Sequence, residues 1–163
     1  MKLTAVDARE IDFAPYGRLF NLREQGEGLH YTHTPEYTDV CTAQPVIDTL
    51  ASLGCTESRG VPFTAQEMER HFHTREAQLP ADQPIVLLVA PATPAPCPNT
   101  RDVRAVIIPK GYMAVLERGV WHSASHGLYS DGCYYWLANV HKGEPTEWQA
   151  IEGGPVTVEA PEK

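Results

Sequence analysis

Between Glu69 and Pro80 the chain reads "ERHFHTREAQLP", placing two histidines, two arginines, two glutamates and a glutamine in twelve residues. In an extended chain, alternate side chains face opposite ways. Counting from Gln66, Met68, Arg70 and Phe72 share one face, and Glu67, Glu69, His71 and His73 share the other. The first face is half apolar and suits a core; the second is densely ionisable. Many antiparallel strands of this kind simply turn their polar side to water. His71 and His73 argue for more. H-x-H on a strand sets two imidazoles side by side, roughly 6–7 Å apart at the backbone, within reach of one ion.

The rest of the chain supports an extended reading. Fourteen prolines and twelve glycines are scattered along 163 residues and cut them into short segments. That punctuation favours many short strands over long helices. Strands are expected at 18–22, 29–32, 49–56, 66–73, 85–90, 103–108, 113–116 and 133–140, with one helical turn at 8–13 before Pro15 and Gly17. "PATPAPCPNTRD" is too rich in proline to pair and reads as a surface connection. The tail after Val140 is expected to add one strand and then fray. Eight or so short strands with almost no helix make an all-β sandwich or barrel. A jelly roll fits best, because it encloses a ligand pocket between its sheets. The expected organisation is a single domain over 1–163, with the barrel at roughly 18–140.

Composition narrows the partners. The formal net charge is -8 with no run of Lys or Arg, so nucleic acid and anionic membrane surfaces would be repelled. A small molecule, bound through a local positive centre, is the expected partner. The N-terminal residues carry charges at Asp7, Arg9, Glu10 and Asp12 and form no secretory signal. No apolar run approaches the length of a membrane span. Cys41, Cys55, Cys97 and Cys133 form no CxxC pair, which suits free thiols in a reducing cytoplasm.

"HFHTREAQ" followed by "ERGVWH" resembles the two motifs of the cupin superfamily. Carried over by position, the resemblance implies His71, His73, Gln78 and His122 as ligands of one divalent metal, whether nickel, zinc, manganese or iron. Gln78 stands where many cupins have glutamate. An amide oxygen donates more weakly than a carboxylate and leaves the ion a stronger Lewis acid. Glu76, two residues earlier and on the same face, is the alternate ligand. A longer resemblance runs from about Phe13 to Val140. "FAPYG", "EMERH", "VLLVAP", "RAVIIP" and "GVWH" are similar in order and spacing to the ureidoglycolate lyase family of cupins. It implies a jelly roll, usually dimeric, that releases urea from ureidoglycolate to give glyoxylate with a divalent metal as cofactor. Leu116 and Glu117 stand where that family has a Tyr-His pair, and "WHSA" and "AQLP" replace its "WHHP" and aromatic-bearing "AFIP" blocks.

Further side chains have two readings each. Glu69 shares the histidines' face and is either a general base or a carboxylate that orients a histidine; Glu117 has the same alternatives. Arg104 either clamps a substrate carboxylate or sits exposed on its strand. Trp121 walls the pocket or belongs to the core, and Tyr134 to Trp136 read as core or dimer interface. His30 and His33 do not share a face, and His126 and His141 read as surface residues. There is no phosphate-binding glycine loop and no GxSxG elbow. The expected activity is lyase or isomerase chemistry on a small polar acid, the metal polarising an oxygen while Glu69 moves the proton. A sugar-acid isomerase, a non-haem iron dioxygenase and a non-catalytic binding cupin are the alternatives.

Overall fold

A computed structural model describes residues 1–140 and 146–162. Among these the backbone is almost wholly β, and the one helical element is a 3-10 turn, Ala8–Glu10. Asp7 caps that turn, its carboxylate accepting from the Arg9 amide. Two large sheets face one another. The first runs Glu147–Ala150, Glu67–Arg70, Trp121–His122, Ile85–Ala90, Arg104–Ile108 and Val6–Asp7, with His126–Gly127 also paired to Ile85–Ala90. The second runs Gly17–Asn21, Tyr112–Leu116, Glu76–Pro80, Gly132–Ala138 and Ser52–Ser58. A smaller sheet of Lys2–Thr4, Val156–Glu159 and Phe63–Ala65 covers the first from outside. The hairpin Leu29–His33 with Thr38–Thr42 forms a two-stranded sheet of its own.

The layering explains the apolar run "IVLLVA", whose six residues are each 1% exposed or less. Ile85, Leu87 and Val89 point inward and meet Ala114, Leu116 and Tyr134 of the second sheet. Val86, Leu88 and Ala90 point outward, with Met68 and Trp121, against Val156 and Val158 of the covering sheet. A strand buried on both faces needs no alternation, as its sequence shows. The second sheet is covered too, Ala77, Met113 and Val115 packing under Leu29, Val46 and Ile47. The fold is therefore the all-β, cupin-type β-sandwich that the short strands led us to expect.

Several elements differ from the expectation. The run at 66–73 splits into Phe63–Ala65 and Glu67–Arg70, and the chain leaves the ladder at His71. Its neighbour pairs only as far as His122 with Glu69, and the Gly119 amide then donates to the His71 carbonyl at 2.8 Å. Alternation therefore stops at Arg70. Phe72, expected inside, is 56% exposed and lies against the Arg70 guanidinium, 4.5 Å from its ring centre. Glu76–Pro80, which lies between the expected strands, is a central strand of the second sheet. The tail forms two paired strands, Glu147–Ala150 and Val156–Glu159, where one and a frayed end were expected.

Candidate metal centre

Residues directly opposite on antiparallel strands project to the same side. His122 lies opposite both Val89 and Glu69, so the His122 and Glu69 side chains enter the space between the two large sheets. Glu76 enters from the second sheet, opposite Leu116 and Ala138, and Gln78 follows two residues on, opposite Ala114 and Trp136. His71 arrives from just beyond the end of its strand. The turn that sets His122 beside it depends on Gly119, whose φ of +78° residues with a Cβ rarely adopt. A Cβ there would also press on the Phe72 ring at 3.2 Å.

Four side chains converge. Glu69, His71, Glu76 and His122 each offer a ligand atom, and these atoms all lie within 4.8 Å of one another. The tightest part is a triad. Glu76 Oε2 is 3.1 Å from His71 Nε2 and 3.4 Å from His122 Nε2. Glu69 stands slightly back, 3.9 Å from His71 and 3.7 Å from His122. The other imidazole nitrogens are engaged elsewhere. His122 Nδ1 donates to the Val120 carbonyl at 3.2 Å, and His71 Nδ1 lies 3.4 Å from the Thr146 hydroxyl. With Nδ1 so engaged, loss of the Nε2 proton would leave a lone pair facing the centre, the posture of a metal-binding histidine.

Electrostatics follow from the crowding. Burial alone would depress the His122 imidazolium, but the neighbouring Glu76 carboxylate outweighs it and holds the group up at about 9. Burial opposes ionisation of Glu76, yet His122 and His71 hold its carboxyl well below the usual range. Glu69 goes the other way, pushed up mainly by its own burial. Above the cluster opens a cavity of about 330 Å³. Glu69, His71 and Glu76 form its floor, Tyr134, Trp136 and Trp148 its aromatic wall, and no lysine or arginine is among the described residues lining it. Burial pushes the Tyr134 phenol up to about 12, so it keeps its proton.

The chain matches the ureidoglycolate lyase family profile over residues 1–159, nearly end to end. This chain belongs to the ureidoglycolate lyase family. It is therefore a lyase, and its centre is a set of donors compatible with a divalent metal. No curated protein matches the chain.

The residues fit such an ion on their own chemistry. His122 Nε2 is buried and makes no hydrogen bond among the described residues; it faces only the carboxylates of Glu76 and Glu69 at 3.4 and 3.7 Å, a place that an ion would fill. Two imidazoles and the Glu76 carboxylate, with Glu69 standing close by, are an N/O set suited to zinc, manganese, nickel or iron.

The lyase's centre differs in membership from the quartet expected above. His71 and His122 are in it, and Glu76 and Glu69 complete it. His73 is not among the converging side chains: its ring stands edge-on to that of His71, 6.0 Å between centres, and its Nε2 lies 2.7 Å from the Asn139 carbonyl, past the point where the ladder ends at Arg70. Gln78 is buried behind Glu76. Its amide donates to Glu76 Oε1 at 2.8 Å and its carbonyl accepts from Ser125 Oγ, which leaves its oxygen engaged. Trp121 does not line the cavity. It lies on the opposite face from His122, beneath the Arg70 guanidinium at 4.1 Å. Arg104 is exposed and donates to the carbonyls of Arg101 and Val103. Glu117 pairs with Arg75 at 2.9 Å, outside the cavity. His141 lies outside the described residues. Sequence reading missed Tyr134, Trp136 and Trp148 as cavity residues; the alternation of "CYYWLA" places Tyr134 and Trp136 on one face, but nothing local says which face is inside.

Proposed function

We propose that this chain is a metal-dependent ureidoglycolate lyase that cleaves the C–N bond of ureidoglycolate to release urea and glyoxylate. The observation that carries the reading is the convergence of Glu76, His71 and His122 beneath a small cavity, in a chain of this family. Those three residues would hold the ion. When bound, a divalent metal supplies Lewis acidity toward a substrate oxygen and a positive centre for its carboxylate. That positive centre has a clear place here, since no lysine or arginine is among the described residues lining the cavity.

The chain's own groups do the rest. Gln78 donates to one Glu76 oxygen while the other faces the histidines, so Glu76 is held in a single orientation. Glu69 stands back from the triad on the cavity floor and takes the proton of the substrate hydroxyl as the carbonyl of glyoxylate forms. Trp136 and Trp148 wall the cavity and limit its water. The test is direct: strip the protein with a chelator, reload it with single metals, and assay urea and glyoxylate together. The reading predicts equimolar release of both, absent from the stripped protein. Turnover independent of added metal, or none with any metal, would refute it.

A further inference from the structure

The strand that carries His122 does not keep one register along Ile85–Ala90. Trp121 and His122 lie opposite Ala90 and Val89, whereas His126 and Gly127 lie opposite Val86 and Ile85. The interval from Val86 to Val89 is three residues, and that from His122 to His126 is four. One extra residue between paired positions is a β-bulge, a feature that re-aims side chains. Its backbone is tied down. The Ser123 amide donates to the Leu88 carbonyl at 3.1 Å, and Ser123 Oγ accepts from the Leu88 amide at 2.9 Å.

The bulge reverses the alternation of the strand. Trp121 points outward with Ala90, and His122 points inward with Val89. Unbroken alternation would send Ser125 outward with Trp121 and His126 inward with His122. The extra residue exchanges them. His126 lies opposite the outward-facing Val86 and stacks on Phe63, 3.7 Å between ring centres. Ser125 turns inward, is 0% exposed, and donates its hydroxyl hydrogen to Gln78 Oε1.

Gln78 belongs to the second sheet, so this bond crosses the space between the two large sheets. It also closes a ring through the metal centre. Ser125 follows His122 on one sheet, and Gln78 follows Glu76 on the other, its amide donating to Glu76 Oε1 at 2.8 Å. Glu76 Oε2 faces His122 Nε2 at 3.4 Å and His71 Nε2 at 3.1 Å. Those last two contacts use the atoms that an ion would claim. A nitrogen cannot give its lone pair to an ion and keep a proton for Glu76. The Ser125–Gln78 bond uses none of those atoms, so it serves with the ion present or absent.

We propose that Ser125 is a positioning residue of the metal centre: turned inward by the bulge, it holds the two sheets at the spacing at which Glu76 and His122 meet one ion. The inference rests on the metal-binding part of the proposed function and not on the substrate. Without the Ser125 hydroxyl, Gln78 Oε1 loses its donor inside a buried site, and the amide that orients Glu76 is anchored at one end only.

The test strips the protein of metal and measures its affinity for Zn²⁺ by competition with a chromophoric chelator. Wild type, Ser125→Ala, Gln78→Leu and the double variant are compared. Ser125→Ala is expected to weaken Zn²⁺ binding by about tenfold, the lower end of what partners of metal ligands contribute. In the Gln78→Leu background the same substitution should change affinity by less than about twofold, because the hydroxyl acts only through Gln78. Equal losses in the two backgrounds overturn the proposal, as does a Ser125→Ala protein whose affinity is within about twofold of wild type. A Ser125→Ala protein that does not fold overturns it as well, since the hydroxyl would then serve the fold rather than the ion. Wild-type protein that takes up no divalent metal refutes the metal centre itself, a result distinct from all of these.

Discussion

At the scale of single residues, Glu76 is the pivot of the centre. It is buried between two imidazoles that favour its charge, and Gln78 fixes its orientation from behind. Replacing Gln78 by leucine should keep the fold but loosen metal binding by about 10–100-fold, the usual cost of removing a partner that orients a ligand; titration against a competing chelator measures it. The ion pair also carries a pH signature. In the metal-free protein His122 is held at about 9 against an ordinary 6.5, and Glu76 is held below its ordinary 4.5. A raised histidine stabilises the fold below its ordinary value and loses that contribution as pH rises toward 9. A depressed carboxylate stabilises above its ordinary value and loses that contribution on acidification. Both contributions are therefore complete between pH 4.5 and 6.5, and thermal stability of the stripped protein should decline from there toward pH 9. Metal must displace the His122 proton, so calorimetry at pH 7.5 in buffers of different ionisation enthalpy should show proton release on binding.

At the scale of elements, the Glu147–Ala150 strand shows how the cavity is framed. Arg70 is buried, stacked against Trp121 and Phe72, and its guanidinium joins Glu147 at 2.8 Å and the carbonyls of Thr93 and Ala95. Glu147 sits between Thr146, which faces His71, and Trp148, which walls the cavity. Replacing Arg70 by alanine should cost about 1–3 kcal/mol in unfolding free energy through lost packing and an unpaired Glu147, read by chemical denaturation. Gly54→Ala should cost about as much by overpacking against Trp136. This scale also shows what the sequence made legible. Of the four residues expected by position, His71 and His122 lie in the converging cluster, His122 just beyond the turn at Gly119. His73 lies outside the cluster because alternation does not run past Arg70, where the ladder ends; Gln78, carried over by position, does face inward, but its amide is engaged by Glu76 and Ser125. Where a strand ends depends on its neighbour, and the neighbour lies some fifty residues away, so the local pattern carries no trace of it. For Trp121 and Arg104 the structure takes the second of the two readings, core and exposed strand position, which alternation alone could not choose because it does not say which face is inside.

For the whole molecule, the relevant fact is a net charge of -8 around a cavity whose floor holds two glutamates. An anionic substrate has no cationic side chain waiting for it among the described lining residues. Metal-free protein should therefore show no saturable binding of hydantoate, and binding should appear only with about one equivalent of metal; isothermal titration of both forms checks this. The layered architecture fits that division of labour. Apolar residues on both sides of Ile85–Ala90 hold the first sheet rigid, and its partner sheet brings Glu76 and Tyr134 to meet it.

The most direct test of the central claim is metal stoichiometry, by elemental analysis, in wild-type protein and in His122→Ala, Glu76→Ala and His73→Ala variants. The account predicts about one equivalent of a divalent metal in wild type and in His73→Ala, and loss of most of it in the other two. Metal lost with His73 but kept without Glu76 would contradict it, and would return the ligand set to the strand face carrying His71 and His73.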